Sequence, residues 1–341
     1  MKKKLFIISN EKFYLDEKKY FCDHIAEKTL PDGLNSKFDV TIIGRSTNIK
    51  RAHQLKIKNI ENYNFLISYL IAIFKKLLKG ESKFLILSIS PYTFLASLIF
   101  IFFRSKPLVY LRSNGYEEYK SILGFYGPLL YGAMFKIVSK ISFFISCREH
   151  ILKGKPGHLV LPSELTNNWI SNTSQPNYKN VRLLYVGRVK VEKGIFSLVR
   201  LLERLPNEVS LSIVGETEQT RIDLRKDNIS IFPIERDEKK LIKYYDDHSI
   251  FILPSYTEGH PMVLLEALAR MRPVIIFNEI KHVIGEKKGI FVADRNVSSV
   301  NKIIEHIKDN KDKIYEEMKQ NKLPTKEKFL IKFSDLISTL N

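Results

Sequence analysis

The stretch Ile250-Phe-Ile-Leu253-Pro-Ser255-Tyr-Thr-Glu258-Gly259-His260-Pro261-Met262-Val263-Leu-Leu-Glu266-Ala267-Leu-Ala269-Arg270-Met-Arg-Pro273-Val274-Ile-Ile-Phe277 sets two short apolar runs on either side of a longer apolar segment. Ile250 to Leu253 and Val274 to Phe277 read as strands buried on both faces, and the segment between them as a crossover helix. Pro261 is expected at the first helical position, where its fixed φ suits the turn and its missing N–H leaves no donor unpaired. Gly259, just before it, lets the backbone come close to a ligand. Glu266 is the only charged residue between Glu258 and Arg270. Desolvating a lone carboxylate costs several kcal/mol, so a ligand or a cation is expected to meet it.

Working outward, short apolar runs alternate with amphipathic segments through most of the chain, the pattern of parallel sheets covered by helices. Strands are expected at Lys4 to Ser9, Asp39 to Ile43, Phe84 to Ser88, Leu108 to Leu111, Ile141 to Ser146 and His158 to Leu161. A second series follows at Arg182 to Val186, Ser210 to Val214, Ile229 to Phe232, Ile250 to Leu253, Val274 to Phe277 and Ile290 to Val292. Between the series, residues 163–180 are polar and rich in turn formers, which suggests a linker. This divides the 341 residues into a domain at 1–162 and a domain at 181–324. At 325–341, Phe329, Leu330, Phe333, Leu336, Ile337 and Leu340 recur at helical spacing and predict a docked final helix.

Lys and Arg outnumber Asp and Glu by 55 to 37, a net charge of +18. Such a balance suits phosphate-bearing ligands, a polyanion or an anionic membrane, and is also what a solvated lysine-rich surface would give. The opening Met1-Lys-Lys-Lys-Leu-Phe-Ile-Ile-Ser9 resembles a signal peptide, but its apolar run is short and meets Glu11 and Lys12, so a first buried strand is the better reading. No apolar run reaches the roughly 18 residues needed to cross a bilayer; the longest, Phe94 to Phe103, is expected as a buried helix. Cys22 and Cys147 are too far apart to suggest a disulfide framework, which points to a reducing, cytoplasmic setting. The neighbouring His24 and His150 give only irregular spacing for zinc, and no metal site is expected. Tyr63 to Lys79 is an apolar helix candidate ending in three lysines, suited either to core packing or to lying on an anionic membrane.

Exposed amides at the start of the helix after Pro261, with its dipole, would form an anion site. Glu258 and Glu266 cannot hold phosphate, but as acceptors they suit sugar or ribose hydroxyls. The competing reading makes Glu258 a helix cap and pairs Glu266 with Arg270 at i and i+4. A second cluster, Leu183-Leu-Tyr-Val-Gly187-Arg188-Val-Lys-Val-Glu-Lys193-Gly194, leaves the carboxyl end of a strand, where open α/β sheets bind ligands, and leads into a helix expected over Ile195 to Leu205. Arg188 and Lys193 could clamp a diphosphate there. The glycine spacing fits neither a Walker loop nor the dinucleotide fingerprint.

Together these two elements resemble the retaining, family 4 type of GT-B glycosyltransferases (glycosyl transferases group 1), in the second half of the chain. The matching residues are Gly187, Arg188, Lys193 and Gly194 in the turn, and Glu258, Gly259, Pro261, Glu266, Ala267 and Ala269 in the Glu-x7-Glu motif. The resemblance implies a GT-B fold, two Rossmann-like doubly wound α/β domains facing across a cleft that closes on the donor, with the final helix crossing back to the first. It implies retaining transfer of a sugar, hexosyl in type, from a nucleoside-diphosphate sugar, UDP favoured, through an oxocarbenium-like transition state. Arg188 and Lys193 would bind and stabilise the diphosphate, Glu258 would meet the transferred sugar and Glu266 the ribose. Amides around His260, Pro261, Met262 and Val263 would add to the diphosphate site, and backbone near Phe232 to Glu235 would frame the base. His260 departs from the commoner aromatic residue or Cys and either touches substrate or packs the pocket.

With no Asp-x-Asp in the sequence, neither a metal nor another cofactor is expected. The first half matches less well. Its early loop, Asn10 to Glu17, lacks glycine, and Arg112 and Asn114 stand where relatives place an acceptor-side His, in what is otherwise a turn closing a strand. The expected acceptor is a glycan or polyprenyl-linked glycan of O-antigen or capsule synthesis, handled beside the inner face of the cytoplasmic membrane. The rival readings are a sugar-nucleotide epimerase or hydrolase on the same fold, and a basic nucleic-acid-binding protein. Scattered basic residues and the lack of a binding module speak against the latter, so no nucleic-acid partner is expected.

Overall fold

A computed structural model describes residues 2–80, 82–204, 208–216 and 228–340. They form two compact units, one reaching Pro162 and resuming at Lys326, the other Ser163–Thr325.

The first unit holds β1 (Lys3–Asp16), β2 (Lys19–Cys22), β3 (Phe38–Thr47), β4 (His53–Gln54), β5 (Ile60–Tyr63), β6 (Ser82–Leu87), β7 (Leu108–Leu111), β8 (Phe143–Ser146) and β9 (Gly157–Leu159). A parallel sheet runs in the order β5-β3-β1-β6-β7-β8-β9, and β2 and β4 extend the far end of β1 in antiparallel fashion. Its helices are α1 (Ile25–Leu34), α2 (Leu66–Leu78), α3 (Pro91–Phe102), α4 (Gly115–Leu123) and α5 (Tyr126–Ile141), joined by the final helix Lys326–Thr339. Successive strand residues face opposite ways, so Leu5 and Ile7 enter one core and Phe6 and Ile8 the other. The first core is closed by Leu30 and Leu34 of α1 and by Phe329, Phe333 and Ile337 of the final helix. The second is closed by α2, α3 and α5 through Tyr69, Ile73, Phe100, Tyr131 and Phe135. Lys83 Nζ, nearly buried, donates to the carbonyls of Ile337 and Ser338 at 2.6 and 3.1 Å. A cation there satisfies carbonyls at the end of the final helix, where the dipole also favours it.

The second unit is a six-stranded parallel sheet of β10 (Arg182–Val186), β11 (Ser210–Glu216), β12 (Ile229–Pro233), β13 (Ile250–Leu253), β14 (Val274–Phe277) and β15 (Ile290–Ala293), in the order β12-β11-β10-β13-β14-β15. Its helices are α6 (Asn167–Ile170), α7 (Ile195–Leu202), α8 (Glu238–Asp246), α9 (Met262–Ala269), α10 (Val297–Asp309) and α11 (Lys311–Lys319). Strand order reverses between β10 and β13, which opens a crevice at their carboxyl ends.

Several expectations need correction. Asn10 to Asp16 is not a loop: it continues β1 and pairs with β2. Residues 163–180 belong to the second unit, where Trp169 on α6 is buried against Tyr245, ring centroids 5.4 Å apart. The helix expected from Tyr63 begins at Leu66, because Tyr63 pairs with Arg45 as the last residue of β5. The helix through Phe94 to Phe103 is buried on one face only, leaving Ile101 and Phe102 exposed. Leu205, the expected end of the helix after Gly194, lies outside the described residues; the described helix ends at Leu202. Cys22 and Cys147 are free, buried thiols.

Candidate functional site

At the crevice, β10 ends in a tight turn. Gly187 N–H donates to Val214 O at 2.9 Å, and the buried Tyr185 hydroxyl donates to Arg188 O at 2.9 Å. The turn leaves the Arg188 side chain exposed to solvent. A single 3-10 turn, Val191–Lys193, then leads through Gly194 into α7. Gly194 has φ +68°, and a Cβ there would stand 1.9 Å from Pro254 O, so only glycine lets this turn press against the β13 loop.

That contact brings two of the expected residues together. Lys193 Nζ donates to Glu258 Oε1 at 2.7 Å, and Ser255 Oγ donates to the same oxygen at 2.7 Å. Both charged side chains are largely shielded, 20% and 10% exposed, so the pair is less screened than a surface ion pair. The loop carrying Glu258 is pinned at further points. Arg295 donates to the carbonyls of Pro254 and Ser255 at 2.7 and 3.2 Å, and its guanidinium lies over the rings of Tyr256 and Phe277. His282 Nε2 donates to Glu258 O at 2.8 Å. A Cβ added to the exposed Gly259 would meet open space, so the backbone there is accessible to a ligand. His260 beside it is half-buried.

Pro261 is not the first helical residue but the cap. Its ψ of 108° is extended, and α9 starts at Met262, with the first-turn amides of Met262 and Val263 lacking intrahelical acceptors. Glu258 therefore lies upstream of the cap and does not serve as one. Glu266 does not pair with Arg270 either: its Oε2 accepts from Tyr245 hydroxyl at 2.8 Å. Burial pushes the Glu266 carboxyl up to about 7, the Tyr245 hydrogen bond opposes this, and Glu164 adds to it. The lone carboxylate is thus met by a protein hydroxyl, a partner 21 positions away that no local spacing reveals. Ser255, Arg295 and His282 also went unread. Arg295 follows β15, and its signal is position alone, since loops after strand ends converge on the crevice.

The raised Glu266 value has a testable consequence. An acid whose folded pKa lies above its unfolded value stabilises the fold fully below the unfolded value, and that contribution is lost as pH rises through about 7. Without ligand, Glu266→Gln should therefore gain melting temperature relative to the parent between pH 5 and pH 8. Parallel melting curves across that range would contradict the assignment.

In the first unit, Arg112 follows β7, and its Nη2 meets Glu27 Oε1 at 2.9 Å, where Glu27 is buried in the first turn of α1. Arg112 Nε is 3.4 Å from Ser88 Oγ. Asn114 is the cap residue of α4, and its Nδ2 donates to Glu117 Oε1 at 2.8 Å. Arg112 is thus already engaged by a carboxylate, and Asn114 by the helix it precedes. Among the described residues, no group of three or more His, Cys, Asp or Glu is placed to hold a metal.

Two doubly wound units with a polar crevice at the switch point define the GT-B fold of glycosyltransferases. Residues 169–323 match the family model of glycosyl transferases group 1. The chain is 33% identical over 153 residues to an uncharacterized glycosyltransferase of Haemophilus influenzae, covering 38% of this chain and 42% of that protein. It is 36% identical over 92 residues to the putative teichuronic acid biosynthesis glycosyltransferase TuaC of Bacillus subtilis, 27% of this chain and 23% of that one. The chain thus spans less than half the length of these curated relatives. In fold it is similar to Anabaena HepE, solved in complex with UDP, with a TM-score of 0.71 and 12% identity over 99% of this chain and 100% of that one.

Proposed function

We propose that the protein transfers a sugar, with retention of configuration, from a nucleoside-diphosphate sugar to a glycan or lipid-linked glycan of the cell surface, O-antigen or capsule in type. The observation that carries this reading is the Lys193–Glu258 pair at the β10/β13 switch point, beside the open N-terminus of α9. Lys193 spends one N–H on Glu258 and has others for a diphosphate; Glu258 has a second oxygen for a sugar hydroxyl. Arg188, exposed at the mouth of the turn, is free to swing a bidentate fork onto the same diphosphate. The amides of Met262 and Val263 complete an anion site, and Gly259 leaves room for the ligand's approach. Glu266 would accept from the ribose while held by Tyr245.

Cations and amides fixed before the reaction stabilise the charge that develops as the diphosphate departs. None of this uses a metal or other cofactor. UDP as the nucleotide is supported by the likeness to HepE, which was solved with it. A surface-polymer acceptor is supported by the name of TuaC and by the net charge of +18, which suits work beside an anionic cytoplasmic membrane face.

The test is a thermal-shift screen over UDP, GDP and ADP, since a ligand of the native state raises its melting temperature. UDP should give the largest shift, and Glu266→Ala should remove most of it at pH 8. A shift of equal size in that variant would sink the ribose assignment, and no shift with any nucleotide would sink the donor reading.

A further inference from the structure

Helices α2, α3 and α5 lie side by side over one core of the first unit, and their outer side is unusually apolar. On α2 the face opposite Tyr69 and Ile73 carries exposed Ile67, Ile71, Phe74 and Leu78, with Phe65 just before it. On α3, Phe102 is 82% exposed. Scattered exposed apolar side chains are ordinary, but a contiguous set of this size is not.

The set culminates in the hairpin of α4 and α5. Its two helices meet very closely: a Cβ on Gly127 would lie 2.0 Å from Tyr119 O, and the Tyr131 ring packs edge-on to Tyr116 and tilted against Tyr119, centroids 4.9 and 5.3 Å away. The hairpin is therefore a built element. Yet its apex, Ile122-Leu-Gly-Phe125-Tyr126, is apolar and open to solvent, Phe125 and Tyr126 being 80% and 75% exposed, and Leu129 and Leu130 continue the exposure. The 16 residues of α5 span about 24 Å at 1.5 Å each and end where β8 begins. That exceeds the length of the four-residue β7 and β8, so the apex overhangs the carboxyl edge of the sheet, the edge from which Arg112 and Asn114 lead into α4.

The charge around this face is mostly positive. Residues 64–142 hold ten Lys or Arg against three Glu. Lys75, Lys76 and Lys79 line a cavity of about 380 Å³ with Glu61, which takes Lys76 at 2.6 Å and leaves the exposed Lys75 and Lys79 facing solvent. Among the described residues no helix is long and apolar enough to cross a membrane, so the face suits seating at an interface, not insertion across it.

We propose that the outer face of α2, α3 and the α4–α5 hairpin docks on an anionic phospholipid bilayer, with Phe125 and Tyr126 entering the acyl boundary and Lys75 and Lys79 meeting lipid phosphates. This deepens the membrane-side reading of the acceptor. It brings the carboxyl edge of the first sheet to the bilayer, where a lipid-linked acceptor presents its head group. Aromatic rings at the apex supply apolar burial, and lysines near the surface add attraction to anionic lipid.

The test is co-sedimentation of the full chain with vesicles of phosphatidylcholine, alone or mixed with phosphatidylglycerol, alongside analytical ultracentrifugation without lipid. The parent should bind the mixed vesicles at least about tenfold better than the neutral ones. Phe125→Ser/Tyr126→Ser should lower binding to mixed vesicles about tenfold or more. Lys75→Gln/Lys79→Gln should erase most of the preference for phosphatidylglycerol. Both variants change exposed residues and should keep the parent's melting temperature and nucleotide shift, so loss of vesicle binding is separable from misfolding or from failure of the donor reading. The proposal is overturned if no vesicle is bound, or if the apex variant binds as the parent does. A lipid-free dimer that the apex variant dissociates, without vesicle binding by the parent, would assign the face to a second copy and also overturn it.

Discussion

The Lys193→Ala variant is expected to turn over about 10²- to 10³-fold more slowly than the parent, with a smaller change in KM. Removing one preorganised donor from a site where negative charge develops costs roughly 2.7–4 kcal/mol of transition-state stabilisation. On the proposed function Lys193 would stand in that relation to a departing diphosphate, since it lies in the turn after β10, beside the point where strand order reverses. The loss has a second source. Glu258 Oε1 now shares two donors, Lys193 Nζ and Ser255 Oγ, each at 2.7 Å, and would keep only the hydroxyl. A shielded carboxylate deprived of its cation turns toward solvent, which misplaces it for a sugar hydroxyl.

The two sources are separable. Glu258→Gln keeps the shape of the loop and removes the carboxylate, so Lys193→Ala/Glu258→Gln together should cost less than the sum of the single losses. Single-turnover kinetics read the chemical step directly. A Lys193→Ala enzyme within threefold of the parent would refute the role, and additive losses would refute the coupling.

Most strands of both sheets were legible because they are short apolar runs buried on two faces, and Leu108–Leu111, Arg182–Val186, Ile250–Leu253 and Val274–Phe277 match residue for residue. The strands that escaped, β2, β4 and β5, are two to four residues long and mix Lys, His, Gln, Glu and Asn with their apolar positions, so periodicity had nothing to grip. The extension of β1 escaped for a related reason. Asn10 to Asp16 is exposed or half-exposed except at Phe13, which turns inward to full burial.

At the site, Lys193 and Glu258 could be singled out from residue type and position, but their contact needed the tertiary fold. The i, i+4 pairing of Glu266 with Arg270 fails for a geometric reason: α9 ends at Ala269, and Arg270, at φ −90° and ψ 15°, has left the helix. Its guanidinium is then aimed away from Glu266, and toward a segment nearly 100 residues upstream in sequence.

That redirection predicts the largest effect on stability. Arg270, only 3% exposed, donates to the carbonyls of Asn168, Trp169, Ser171 and Asn172 and makes a two-oxygen contact with Asp246 at 2.8 Å each. It is the most heavily bonded of the pegs that fasten the polar segment 163–180, which looks like a linker, to the second unit, alongside Arg272 on Ser174 O at 3.0 Å and Ser249 on Asn177 O at 2.6 Å. Arg270→Ala would strand Asp246 and several carbonyls together, and breaking a buried ion pair from one side costs about 3–5 kcal/mol. Arg272 offsets part of this, since its Nη2 already lies 3.4 Å from Asp246 Oδ1. The expected fall in melting temperature of the second unit is roughly 10 °C, at about 2–4 °C per kcal/mol for a unit of this size. Arg270→Lys should recover little, because one ammonium cannot span a carboxylate and four carbonyls. The reporter is built in. Trp169 is the only tryptophan, buried against Tyr245, and its own carbonyl accepts from Arg270 at 3.1 Å. Its emission should shift to the red in Arg270→Ala at temperatures where the parent is still folded. If the emission and the melting midpoint both stay with the parent, the segment is held by something other than Arg270, and the buried guanidinium is incidental to it.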